Sequence, residues 1–213
     1  LAELDMSGDP PQEVALFGPD NVVISEGGAL TIDVDGDPDA VQAMRFTLEG
    51  GTLGILRDSD SWDGNEKATV RITMPAPREI AMAGSGTIDA ATMANDAEIG
   101  AAGAGRINVA EIDSESLEIS IAGSGDVEVS GATDRLEVSI AGSGDVDSPE
   151  LKADQAEVSI AGSGNVAFAS DGTVEANIMG SGDVVVTGDA TCELNSMGSG
   201  TLRCSAAKDE ASE

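Results

Sequence analysis

Leu136-Glu137-Val138-Ser139-Ile140-Ala141-Gly142-Ser143-Gly144-Asp145-Val146 is the stretch that decides the fold. Its near copy Leu117-Glu118-Ile119-Ser120-Ile121-Ala122-Gly123-Ser124-Gly125-Asp126-Val127 stands one period earlier. Gly-(Ser/Ala)-Gly tripeptides recur seven times at a spacing of 18 to 20 residues, centred on Ser85, Ala104, Ser124, Ser143, Ser163, Ser181 and Ser199. A fixed period of this size marks a solenoid, in which one coil cannot bury its apolar side alone and stacks on its neighbours.

Counting each residue as an offset from the central Ser or Ala separates two faces. Five before the centre stand Ile80, Ile99, Ile119, Val138, Val158, Ala176 and Leu194, and three after it stand Ile88, Ile107, Val127, Val146, Val166, Val184 and Leu202. Three before it the column is apolar except for Ser196 in the last repeat. Six before it every repeat carries a glutamate: Glu79, Glu98, Glu118, Glu137, Glu157, Glu175 and Glu193. Odd offsets are apolar or glycine and even offsets polar or small, which is the period-two alternation of a half-buried strand.

Antiparallel hairpins reverse the chain at each strand and give no reason for one residue type to return at one offset. Parallel coils in register place each offset in a vertical column, so the expected fold is all-β, a parallel β-helix with 18 to 20 residue coils. Both glycines of each tripeptide fall on the inward parity and read as a corner. Variation in length falls in turn formers such as 130–135 and 187–191. Six steps of ~4.8 Å make the repeat stack about 29 Å tall. Residues 1–77 lack the tripeptide but contain short strand patterns at 21–25, 29–34, 45–48, 52–56 and 68–74, expected to be initial coils or a cap of the same domain. The repeats occupy 78–204, and 205–213 is expected to be a disordered tail.

The runs Asn21-Val22-Val23-Ile24, Ala29-Leu30-Thr31-Ile32-Asp33-Val34, Gly51-Thr52-Leu53-Gly54-Ile55-Leu56 and Val70-Arg71-Ile72-Thr73-Met74-Pro75, followed by serial Ala/Met-Gly-Ser-Gly-Asp/Asn-Val, resemble the bacterial auto-transporter adhesin head domain family, or GIN domain, over residues 14–204. The resemblance implies a right-handed parallel β-helix exported to the cell envelope, and it brings no catalytic residues with it. Ala104, Met179 and Met197 depart from the repeat pattern without disturbing it.

Forty acidic against ten basic residues give a net charge of −30, which repels nucleic acid and anionic membrane surfaces. No run of 18 apolar residues is present, so no membrane insertion is expected. The start at Leu1 fits a processed N-terminus. With the export that the resemblance implies, the expected location is extracytoplasmic: periplasm, outer membrane surface or secreted. Cys192 and Cys204 lie on the inward parity of the last repeat, where they are either two buried thiols or a disulfide pinning the final coil.

Three chemistries deserve weighing. First, Glu118, Glu137 and Glu157, with the weaker column Asp126 and Asp145, form acidic ladders that collect a hard cation such as Ca²⁺ or stand as solvated faces. Carboxylates ~4.8 Å apart repel by about 0.9 kcal/mol per neighbouring pair in water. Acidic loops at 33–37 and 58–64 look superficially like calcium loops but read as turns, the first through the turn signal Asp35-Gly36-Asp37-Pro38. Second, the small-residue ladders end in Met179 and Met197, an adaptable apolar patch suited to a surface protein or a glycan. Third, some β-helices cleave acidic polysaccharides, and Arg106 beside Asp126 and Asp145 is the pairing that suggests it. With no histidine, Ser-His and Cys-His nucleophiles are excluded, and phosphate cradling by the glycines is disfavoured because no helix follows them. The reading reached is a non-enzymatic, cofactor-free envelope protein acting in surface interaction, with a polysaccharide lyase or hydrolase as the alternative.

Overall fold

The computed structural model describes residues 8–58 and 66–205 of the chain. The N-terminal part contains β1 (Glu13–Gly18), β2 (Asn21–Glu26), β3 (Thr31–Gly36), the short helix α1 (Pro38–Ala43), β4 (Met44–Glu49), β5 (Thr52–Arg57) and β6 (Ala68–Met74). The repeats follow as β7 (Glu79–Gly84), β8 (Thr87–Ala90), β9 (Asp96–Gly103), β10 (Arg106–Gly123), β11 (Asp126–Gly142), β12 (Asp145–Gly162), β13 (Val166–Ala169), β14 (Thr173–Gly180), β15 (Asp183–Thr187), β16 (Thr191–Gly198) and β17 (Thr201–Ser205).

Every pairing from β7 to β17 is parallel, and the offsets stack without slipping at the corner. Glu118 lies over Glu137, Ile119 over Val138, Ser120 over Ser139 and Gly123 over Gly142. One sheet runs β4, β5, β1, β7, β9 and then the second halves of β10, β11 and β12 before β14 and β16. The second runs β3, β6, β2, β8 and the first halves of the long strands before β13, β15 and β17. Together they make a β-solenoid of stacked coils. Short paired segments at 112–114, 131–133 and 151–153 form a third side, where buried Ser114 donates to Thr133 at 3.0 Å, and at the irregular step leading into it Ser148 accepts from the Val129 amide at 2.9 Å. These bonds satisfy polar groups that burial would otherwise penalise.

The apolar columns form one continuous core from Val14 to Val186. Ile80, Ile99, Ile119, Val138 and Val158 are fully buried, each contributing about 1.5–3 kcal/mol relative to an exposed side chain.

The corner corrects one expectation. Only the second glycine of each tripeptide points inward: Gly144 is buried, while Gly142 is partly exposed with φ +136°. At Gly142 the chain enters a conformation that side chains rarely adopt, and this breaks the parity. Ser143 then donates its amide to Gly123 O of the previous coil at 2.8 Å.

At the N-terminal end, spatial order departs from chain order. The coil β1–β2 is inserted between the coil β5–β6 on one side and β7–β8 on the other. β3 and β4 pair antiparallel on β6 and β5 at the outer edge. The residues read as a turn from Asp33 to Pro38 instead finish β3, paired on β6 as far as Gly36, and open α1, with Asp37 as its cap accepting from the Asp39 amide at 2.9 Å and Pro38 in the first turn. Asp20 occupies the inward glycine position of its coil. It is wholly buried, accepts from the Ala68 amide at 2.8 Å and from Arg57 Nε at 2.6 Å, and so bolts the two N-terminal coils together. Residue 205 closes β17, and the rest of the expected tail, 206–213, lies outside the described residues.

Candidate functional site

Along the first sheet the outward side chains two and four residues before each corner are small. Ala81, Gly100, Ser120, Ser139, Ser159 and Asn177 form one column, and Ala83, Ala102, Ala122, Ala141, Ala161 and Met179 form the next. Between the larger side chains at the ends they floor an apolar groove of about 690 Å³. Phe17, 51% exposed, stands at one end and Met179, 59% exposed, at the other. From β1 to β14 the groove crosses six inter-strand steps, about 29 Å. Met197 stacks beside Met179 one coil further on and is 77% exposed.

The glutamate column runs along one side of this groove. Each glutamate precedes the nearer small residue by two positions on the same strand and face, about 6.7 Å away. Register adds an eighth member, because Glu13 of β1 lies over Glu79. Six ion pairs are present among the described residues: Arg45–Asp58, Arg57–Asp20, Arg71–Asp35, Arg78–Asp96, Arg106–Asp126 and Lys152–Asp171. All six engage aspartates. Glu13 accepts from the Thr52 hydroxyl and Glu175 from Asn177 Nδ2 at 3.5 Å, but among the described residues no lysine or arginine forms an ion pair with the column. Burial, then the charges of Glu98 and Glu13, push the Glu79 carboxyl above its ordinary range.

The sequence-derived candidates are therefore distributed as follows. Glu118, Glu137 and Glu157 stack in adjacent coils beside the groove. Asp126 and Asp145 stack on the other sheet, where Asp126 takes Arg106 at 2.9 Å and Asp145 accepts from both nitrogens of Asn165 at 2.8 and 2.9 Å. The acids form rows without converging: among the described residues no three of His, Cys, Asp and Glu are placed to hold a metal ion. Of the calcium-like loops, Asp35 and Asp37 bond to neighbouring backbone amides, Asp58 pairs with Arg45, and 59–64 lie outside the described residues. Lys152, donating to Asp171 at 2.6 Å, holds that carboxyl below its usual range.

Cys192 and Cys204 are joined by a disulfide with Cα atoms 6.7 Å apart. Both keep the inward parity, yet Cys204 is exposed, because β16 and β17 end their sheets among the described residues. Phe17 and Glu13 escaped the sequence reading because Gly18-Pro19-Asp20 replaces the tripeptide in their coil. The visible signal was the match of Glu13-Val14-Ala15-Leu16-Phe17-Gly18 to Glu79-Ile80-Ala81-Met82-Ala83-Gly84.

No helix among the described residues is long and apolar enough to cross a membrane. No curated protein matches the sequence. Among solved structures, one described as a "putative adhesin" from Bacteroides fragilis superposes with a TM-score of 0.83 at 20% identity, over 92% of this chain and 93% of that one. A "putative lipid binding protein" from Parabacteroides distasonis gives 0.70 at 25% identity, again over 92% and 93%. A second "putative adhesin", also from Parabacteroides distasonis, gives 0.67 at 16% identity over 93% and 94%. The model of the family described as "Putative auto-transporter adhesin, head GIN domain" matches residues 10–190, and the chain belongs to that family.

Proposed function

We propose that this chain is a non-enzymatic, exported envelope module that binds a surface protein in the groove between Phe17 and Met179. One observation carries the reading: a nearly all-apolar groove about 29 Å long lies open on a chain of net charge −30. Exposed apolar patches of this kind mark interaction sites. A floor of Ala and Ser with few polar atoms suits an apolar protein surface better than a glycan, which needs many hydrogen-bonding partners. The adhesin-like family and the absence of a histidine agree with binding without turnover. The Arg106–Asp126 contact is an exposed ion pair of ordinary geometry and lends the lyase or hydrolase alternative no support.

A second reading, an acyl chain lying in the groove, is favoured by the same lining and by the relative described as lipid binding. A binding screen of the purified domain against envelope proteins, glycans and acyl lipids tests both, with Ala122→Gln/Ala141→Gln as the groove-filling variant. Loss of the captured ligand in the variant is expected. Ligand capture unaffected by the variant, or release of unsaturated product from a uronate polymer, would refute the reading.

A further inference from the structure

We propose that the occupant of the groove is a cationic amphipathic helix of a partner protein, laid along the solenoid axis with its apolar stripe on the Ala and Ser columns and its basic residues against the glutamate column. This rests on the groove being the binding face. Two observations on the same sheet meet here: an apolar floor, and eight carboxylates in register beside it, none of them in an ion pair among the described residues. Such a row repels itself coil after coil, and a row of basic side chains at matching pitch relieves the repulsion along the whole groove. An anionic acyl headgroup adds to it instead.

Backbone chemistry selects the helix. The groove runs across the strands, whose amides and carbonyls are already paired within the sheet. An extended segment following the groove would leave its own N–H and C=O groups against an apolar floor without partners. A helix satisfies them internally and needs about 19 residues to span about 29 Å. Its basic side chains reach the glutamates while their apolar stems lie on the floor.

The test uses fluorescence anisotropy with the whole chain and three labelled peptides at about 150 mM salt. One is a Leu/Lys helix with leucines at i, i+3, i+4 and i+7, one carries Glu in place of Lys, and one carries Ser in place of Leu. The Leu/Lys helix is expected to bind saturably. Glu118→Gln/Glu137→Gln/Glu157→Gln should weaken it about tenfold, the scale of three exposed ion pairs. Glu111→Gln/Glu128→Gln/Asp147→Asn, which removes equal charge off the groove sheet, should change it less than about twofold by screening. Far-UV circular dichroism and melting confirm that each variant is folded.

Equal weakening by the two triple variants overturns the proposal, as does equal binding of the Leu/Glu or the Lys/Ser peptide. Tight laurate binding without binding of the Leu/Lys helix overturns it in favour of an acyl chain. If Ala122→Gln/Ala141→Gln abolishes peptide binding while the glutamate variant has no effect, only the cationic partner is refuted. If the groove variant has no effect on peptide binding, the groove reading falls with it.

Discussion

Gly142→Ala tests the corner on which the stacking depends. Gly142 has φ +136°, and a Cβ added there would stand 2.2 Å from Gly123 O, 3.0 Å from Gly123 C and 3.2 Å from Gly123 Cα. That conformation alone costs a non-glycine residue about 1–3 kcal/mol. The overlap adds to it, because the atom struck is a backbone carbonyl held by the Ser143 amide at 2.8 Å and cannot swing aside like a side chain. We expect a loss of about 3 kcal/mol or more, equivalent to a fall of about 6–12 °C in melting temperature for a chain of this size. Gly100→Ala is the matched control. It lies on the outward face of β9 with no atom within 4 Å of its built Cβ, and should change stability by less than about 1 kcal/mol. Urea and thermal melts of both variants provide the measurement. A Gly142→Ala variant within about 1 kcal/mol of the parent would show that the corner is not held by contact between successive coils.

Other parts of the structure give further expectations. Arg57→Ala strands the buried Asp20 carboxylate and should cost about 3–5 kcal/mol in urea melts, whereas a cost below about 1 kcal/mol would remove its role as a bolt. Cys192→Ser/Cys204→Ser opens a 12-residue closure worth about 3 kcal/mol, so amides of β16 and β17 should exchange about a hundredfold faster while β11 is unchanged. Unchanged exchange would show that the last coil does not depend on the bond. Glu79 holds its proton more tightly folded than unfolded, so its contribution to stability falls as pH rises from the ordinary glutamate range through its raised value. Glu79→Gln should therefore stabilise the protein at neutral pH, with the gain disappearing in acid; melts across pH check this, and a gain that persists in acid would contradict it.

The repeats were legible because a parallel solenoid writes its register into the sequence. Glu118, Glu137 and Glu157 return at one offset since they occupy one column, and a column imposes one environment on every member. The N-terminal coils were less legible, because long-range pairing there does not follow chain order. Nothing local to Glu13–Gly18 says that it inserts between β5 and β7, and its corner lacks the tripeptide because Asp20 needs the inward position for Arg57. α1 hid behind an Asp-Gly-Asp-Pro run that reads as a turn, though Asp37 before Pro38 is also a helix-start signal. For the site, the small-residue ladders and the two methionines were readable as a surface, but the groove became visible only when Phe17 was placed at its far end.

The groove and the cationic partner proposed for it both require successive coils to stack in straight columns, and pulsed dipolar spectroscopy between spin labels in the glutamate column measures this directly. Cysteines introduced at Glu79 and, in turn, at Glu157, Glu175 and Glu193 carry the labels, with the native disulfide left intact. Four, five and six stacking steps separate these pairs, so the mean distance should lengthen by about 5 Å per coil, from about 19 to about 29 Å. Distances that fail to lengthen steadily from one pair to the next would contradict the column and the binding face built on it.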